Sequence, residues 1–563
     1  MIQFTSTLAI DLETSSWYGN SPDPHRDTVH LISICNGQDV EVLEPGDWLP
    51  QLWAWLNEPD HVMIAHNAEF DLRFLWSLGY TGYPRLWDTL LIERVLTAGQ
   101  LVRRDLQSTL WRRCNILIDK KDLGKSFKDH IGAFTDAQLE YSKNDVLHLH
   151  KLQQAQERDC KKLGLMETVE LENALVPAVA AMEYLGVGFN TALWGDLVRK
   201  ESYIAKEAEQ KALRLLPCHN YTMDLFSDNC SGINIGSNKQ VTEALYELGI
   251  RVEDTQEDTL LEYLRTHPSA TVLRHLIDYR KATKRIGFNY PSYINPMTGR
   301  IHTQYNQVGP RSGRFSSSDP NLQNVPASKE YRAPFREPEY LYVTVDFAQQ
   351  EHRITAQASG DKNLQRVCRE LDVHCEIARL VYNDKTITKS DPRRRVAKGL
   401  GLGMSYGAGA ETIANGAGIS SREARRVVKT YRTLFSTAEA WSKHQIQMAQ
   451  EEGYVKTLGG RIRWFLDVDP NSFTWQNSAR NSPIQGTAAD MMKRAILYVD
   501  TALRKYDADI VLTVHDELVV RVRKGQEEEV VPIIVREMER AGQYYVNCVP
   551  TPVDVAIEEC WAK

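Results

Sequence analysis

Residues 340–353 read YLYVTVDFAQQEHR, and residues 510–522 read IVLTVHDELVVRV. In the first stretch, aromatic, β-branched and leucine residues lead to Asp346. This predicts a strand with a carboxylate at its end, where it can leave the sheet. In the second, two apolar runs flank His515-Asp516-Glu517, the pattern of two strands around a tight turn that carries Asp516. Folded together, Asp346 and Asp516 would hold divalent cations and support phosphoryl transfer by positioning and electrostatics.

Between these stretches, residues 393–407 read RRRVAKGLGLGMSYG. On a helix Arg394, Lys398, Leu402 and Tyr406 recur every four residues and form one slowly drifting stripe. The basic end suits a triphosphate, and the apolar and aromatic end suits a base and sugar. Taken singly, a basic stripe is usually a solvated face and an acidic hairpin tip is a common polar turn.

Residues 1 to about 165 alternate strand-like and helix-like runs: LAIDLE, LISICNG, VEVLE and then VMIAHNAEFDLRFLWSLG. That alternation predicts an α/β domain. Asp11 and Glu13 lie two apart on a predicted strand, so both side chains share one face. Asp71, in Asn67-Ala-Glu-Phe-Asp71, falls where a strand gives way to a helix, while Tyr141 and Asp145 stand at i and i+4 on a helical face. Crowded carboxylates repel unless neutralised, and two Mg²⁺ ions about 3.5–4 Å apart are a common solution. From about 166 to 290 the strand signal gives way to apolar-periodic stretches that predict helices, and from about 296 the pattern is mixed.

Composition bounds the rest. The chain has 563 residues, 42% apolar and 25% charged, which excludes a largely disordered or fibrous protein and predicts several domains. No run approaches the ~18 apolar residues of a membrane span, and the first residues lack the pattern of a secretory signal. Lys and Arg number 67 against 74 Asp and Glu, so any nucleic-acid surface must be a local basic cleft. Nine scattered cysteines without a CxxC pair point to a reducing compartment, the cytoplasm.

The ordered acids of the first domain resemble the three motifs of the DnaQ-like 3′→5′ exonucleases, which have a ribonuclease H-like fold. The resemblance implies that Asp11, Glu13, Asp71 and Asp145 hold metals, that Tyr141 orients the attacking water, and that the activity is intact. Asp88 is expected to be structural. The two strand-end acids and the 393–407 block, with RSGRFSSSDPNLQNVP (311–326) and NSPIQGTAADMMKRA (481–495), resemble family A DNA polymerases of the DNA polymerase I group. The likeness extends through ELENALVPAVAAMEYLGVGFN and INIGSNKQV.

That resemblance implies an α/β and α+β multi-domain chain. Its expected parts are an exonuclease domain at 1–165 and a right-hand polymerase domain at 166–563. Within the latter it places the thumb at about 190–295, the palm at about 296–375 and 466–563, and the fingers at about 376–465. Asp346 and Asp516 would bind two Mg²⁺, or Mn²⁺ as a substitute, assisted by the Phe347 carbonyl, with Glu517 a less essential neighbour. Arg394 and Lys398 would contact the triphosphate, Lys398 also as proton donor to pyrophosphate, with His374 and Gln349 nearby. Tyr406 would stack at the nascent pair and Glu351 would exclude a 2′-hydroxyl. Arg314, Asn321, Gln323, Asn481, Gln485 and His515 would read the minor groove of primer-template DNA.

Leu402 stands where relatives carry Phe or Tyr, motif A reads FAQQEH rather than YSQIEL, and Asn477 replaces a frequent Arg. No block resembles a 5′-nuclease domain or a long thumb insert. The expectation is a compact, phage-type, monomeric replicase using deoxynucleoside triphosphates, cytoplasmic in its host, working alone or with an unidentified processivity factor. A single-subunit RNA polymerase and an inactive DNA-binding accessory protein are the alternatives. Glu351 and the exonuclease motifs speak against the first, and the complete acid sets against the second.

Overall fold

A computed structural model describes residues 2–16, 21–118, 123–217, 233–370, 372–466 and 469–562, except the side chain of Leu402. The described chain forms two compact units. One comprises Met1–Val187, Asn295–Val325 and Pro338–Lys563; the other comprises Gly188–Ile294 and Pro326–Glu337.

The first unit begins with a five-stranded sheet built from β1 (Thr7–Thr14), β2 (Val29–Cys35), β3 (Val40–Leu43), β4 (Val62–Ala65) and β5 (Leu86–Asp88), in the order β3-β2-β1-β4-β5. β1 runs antiparallel to β2 and parallel to β4, which in turn runs parallel to β5. Covered strands read as near-continuous apolar runs, and Leu8, Ala9 and Ile10 of β1 are fully buried. Helix α1 (Ala68–Ser77) joins β4 to β5, and α2 (Asp136–Leu147) comes after the last strand.

Helix α3 (Met166–Leu185) is buried on most of its faces, its Glu172 and Glu183 included. Its Val169, Val176 and Ala180 belong to the core of the first sheet, whereas its Leu175, Ala178, Val179 and Met182 belong to a second core. That second core packs around a four-stranded antiparallel sheet. The sheet contains β6 (Tyr340–Phe347), β9 (Ala508–Val514), β10 (Glu517–Arg523) and β11 (Val553–Glu558), in the order β9-β10-β6-β11. Between β6 and β9 run α4 (Gln350–Ser359), α5 (Pro392–Ser405), the hairpin β7 (Tyr454–Lys456) and β8 (Ile462–Trp464), and α6 (Phe473–Leu503).

The second unit is helical, as its periodicity predicts. Thr191–Leu213, Asn238–Glu247, Glu257–Thr266 and Thr271–Ile286 enclose a core that includes Ala212, Leu245, Leu260 and Leu276. Among the described residues no helix is long and apolar enough to cross a membrane.

Candidate active sites

The acids of the first sheet gather on its middle strand. Asp11 faces Ser33 and Glu13 faces Leu31 on β2, so their side chains emerge on one face. Helix α2 brings Asp145 to them, and ligand oxygens of Asp11, Glu13 and Asp145 all lie within 4.8 Å of one another. Ser142, on the same helix, donates to Glu13 Oε1 at 3.3 Å. Tyr141 lies one turn before Asp145, and its hydroxyl is 3.2 Å from where a Cβ on Gly124 would stand. Asp71 is not in the close trio, yet it belongs to the same electrostatic group. Burial, then the charges of Asp11 and Asp88, push its carboxyl well above the usual range.

Asp88 has a different task. Its carboxylate caps the helix Thr89–Leu96 by accepting from the Leu90 and Leu91 amides, and it also accepts from the amides of Asn67 and Ala68. It thereby fixes the start of α1, where Asn67 adopts a left-handed φ of 92°.

In the second sheet, β6 delivers Asp346 to its end, opposite Glu517 on β10 and Asp554 on β11. Val514 pairs with Glu517, so the hairpin turn is only His515-Asp516. The sequence reading gave the turn three residues; the ladder corrects it, because Glu517 already pairs on both sides. His515 adopts φ 59°, the positive torsion that two-residue hairpin turns demand. Asp516 is exposed and sits next to the residue facing Asp346, which is half-buried.

Glu517 is buried and accepts a 2.7 Å hydrogen bond from Trp561 Nε1. No local pattern foretells this contact, since 44 residues separate the two. Glu351 is raised by burial, an effect that Arg314 opposes from 3.8 Å and that the Asp516 charge reinforces. Arg314, Glu351 and Asp516 therefore share one neighbourhood.

Helix α5 starts with Pro392 and an Asp391 cap that accepts from the Arg393 amide. Arg394 donates from Nε to Asp372 Oδ2 at 2.8 Å, and Lys398 is exposed. Tyr406 is exposed at the helix end, where its hydroxyl accepts from Gln485 Nε2 at 2.6 Å. Leu402 carries a role in the sequence reading, but its side chain lies outside the described residues.

His374 is buried, and burial together with the charge of Arg394 lowers its imidazole to about 4, against the pull of Asp372. His352, which the sequence reading did not single out, packs edge-on against it with ring centroids 5.3 Å apart. A Cβ on Gly401 would stand 2.2 Å from His352 Nε2, so glycine is what lets α5 approach α4 here.

The remaining expected contacts border the same turn and helix. Phe347 is buried at the end of β6, and Gln349 opens α4 with a left-handed φ of 48°. Asn321 caps a short helical turn by accepting from the Gln323 amide, and Gln323 Nε2 donates to the Thr513 carbonyl at 3.3 Å, beside His515. Asn481 and Gln485 lie four apart on α6. Asn481 is buried, and its Oδ1 has no hydrogen-bond partner among the described residues.

Both sites are built from carboxylate oxygens, the donor chemistry of hard divalent cations. In the first, the closeness of the trio and the raised Asp71 are what a cation would relieve.

Known proteins resemble this chain in sequence and in fold. Residues 213–563 match the model described as DNA polymerase family A, and residues 1–160 match one described as 3′-5′ exonuclease. The thermostable DNA polymerase I of Thermus aquaticus is 33% identical over 416 residues, covering 70% of this chain and 48% of that protein. DNA polymerase I of Chloroflexus aurantiacus is 27% identical over 577 residues, covering 95% of this chain and 58% of that protein. The chain spans about half the length of the curated relatives it matches. In fold it is similar to the polymerase domain of Pol1 from M. smegmatis, solved in complex with DNA primer-template and dNTP. The TM-score is 0.83 at 23% identity, covering 98% of this chain and 95% of that one. The chain therefore belongs to DNA polymerase family A and carries a 3′-5′ exonuclease domain before its polymerase region.

Proposed function

We propose that this chain extends a primer 3′ end on a DNA template with deoxynucleoside triphosphates, and trims mispaired ends in the 3′→5′ direction. The observation that carries this reading is the delivery of Asp346 and Asp516 to adjoining ends of one sheet, with Arg314 and Glu351 in the Asp516 neighbourhood. Asp346, the Phe347 carbonyl and Asp516 would hold two Mg²⁺ in the polymerase site; Asp11, Glu13, Asp71 and Asp145 would hold two in the exonuclease site. Such ions, or Mn²⁺ in their place, stabilise the charge that develops on attacking and leaving oxygens.

The chain's own side chains divide the other work. Arg394 and Lys398 bind the triphosphate, and Lys398 protonates the departing pyrophosphate. His374, kept neutral by its surroundings, and Gln349 orient the nucleotide, Tyr406 stacks on the nascent pair, and Glu351 excludes a 2′-hydroxyl. Arg314, Asn321, Gln323, Asn481, Gln485 and His515 hold the minor groove. In the exonuclease site Tyr141 orients the water. Residues 190–295 act as thumb, 376–465 as fingers and the second sheet as palm, in a cytoplasmic enzyme.

Primer extension by the purified protein and by Asp346→Ala and Asp516→Ala tests this reading. Undiminished extension by both variants refutes the metal assignment. Incorporation of ribonucleotides in preference to deoxyribonucleotides refutes the role of Glu351.

A further inference from the structure

His352 stands where three helices meet. It follows Glu351 on α4, and its ring packs edge-on against His374 of the helix Val373–Tyr382, with centroids 5.3 Å apart. Its Nε2 is 2.2 Å from where a Cβ on Gly401 of α5 would stand. His352 is only 7% exposed, so the ring has little room to retreat from an added methyl group. Nε2 has no hydrogen-bond partner among the described residues. The side chain therefore acts here by its bulk rather than by a polar link.

Gly401 belongs to the basic face of α5. Lys398 precedes it by three residues and Arg394 by seven, so the three lie along one side of the helix. Arg394 also ties this face to the helix of His374, since it pairs with Asp372, which caps that helix by accepting from the Cys375 amide at 2.9 Å. The depth at which Gly401 seats on His352 therefore sets how near the basic face comes to α4. The first turn of α4 carries Glu351, whose Oε2 is buried and has no hydrogen-bond partner among the described residues.

We propose that His352 is a positioning residue for sugar selection. Its ring, seated against Gly401, holds the Arg394 and Lys398 face of α5 at the distance from α4 at which Glu351 excludes a ribonucleotide. The proposal rests on the polymerase reading above and deepens it, because it adds a residue that touches neither nucleotide nor metal in that reading.

The test is incorporation of one deoxynucleotide and of the matching ribonucleotide on the same primer-template, read as the ratio of their kcat/KM values. That ratio does not depend on the fraction of protein that is folded, so a poorly folding variant still reports. Gly401→Ala drives a methyl into the ring and His352→Ala removes the ring; each is expected to lower the ratio about 10-fold. Combining the two places the methyl in the vacated space and should return the ratio to within about threefold of the parent. His352→Leu keeps the bulk and should keep the ratio.

An unchanged ratio in both single variants would overturn the proposal. So would losses that multiply in the double variant, or a loss in His352→Leu as deep as that in His352→Ala. Glu351→Ala, measured alongside, separates the failures. If it collapses the ratio while the His352 and Gly401 variants leave it intact, only the seat on His352 falls. If it leaves the ratio intact, or the parent extends no primer, the reading of the polymerase site falls with it.

Discussion

The two acid sites solve one electrostatic problem in opposite ways. In the exonuclease domain, three carboxylates are within 4.8 Å of one another, and a fourth is driven toward its neutral form by burial and its neighbours. In the polymerase domain the acids occupy strand ends, one half-buried and one exposed, and the basic partners arrive on a helix from elsewhere in the sequence. The first is a tight, preassembled nest. The second is open, which suits the proposed entry of a triphosphate and exit of a duplex.

The largest expected effect attacks the open site. Asp346→Ala or Asp516→Ala should cut primer extension by at least ~10³-fold, since each removes a charge from a phosphoryl-transfer centre. Removal of a mispaired 3′ end, measured on the same preparations, should persist. The reverse contrast comes from the double variant Asp11→Ala with Glu13→Ala. Degradation of the mispaired end should fall by ~10²–10³-fold while extension survives; surviving degradation would show that these acids are misassigned.

Smaller changes sharpen the difference between acids that face chemistry and acids that hold the frame. Asp88→Ala removes an acceptor for four backbone amides, so thermal unfolding should reveal a loss of about 2–4 kcal/mol. Glu517→Gln keeps an oxygen for the Trp561 indole, so extension should remain within about tenfold of the parent. A loss as deep as that of Asp516→Ala would move Glu517 into the metal set.

The mildest effect is a pH slope. His352 and His374 protonate at about 3 and about 4 when folded, mainly because they are buried. An unfolded imidazole takes its proton near 6.5. Between those limits the unfolded chain binds more protons, so stability should fall as pH falls from about 6.5 toward 4. Arg353 and His374 face His352, and Arg394, Lys398 and Asp372 face His374. Replacing His352 by Leu should flatten the slope in denaturant titrations at several pH values; an unchanged slope would mean other groups set it.

What could be read in advance follows from how far each interaction reaches along the chain. YLYVTVDF is a strand from Tyr340 to Phe347 because its residues suit a covered sheet whatever their partners. The pairs Asp11/Glu13 and Tyr141/Asp145 share faces because strand and helix periods place them so. By contrast, the bond from Trp561 to Glu517 and the fit of Gly401 over His352 depend on tertiary placement. No local period encodes such meetings. The one-residue error at the hairpin has the same origin, since only cross-strand pairing tells where a turn stops.

Helix α3 carries a practical consequence. With some side chains lodged in one core and others in the next, it acts as a shared keel, and a cut near residue 165 would strip it of half its cover. The two proposed activities would therefore ride on one mechanical body. Attempts to excise the trimming portion should yield sticky, poorly behaved fragments, whereas silencing it by point substitution leaves the hull intact.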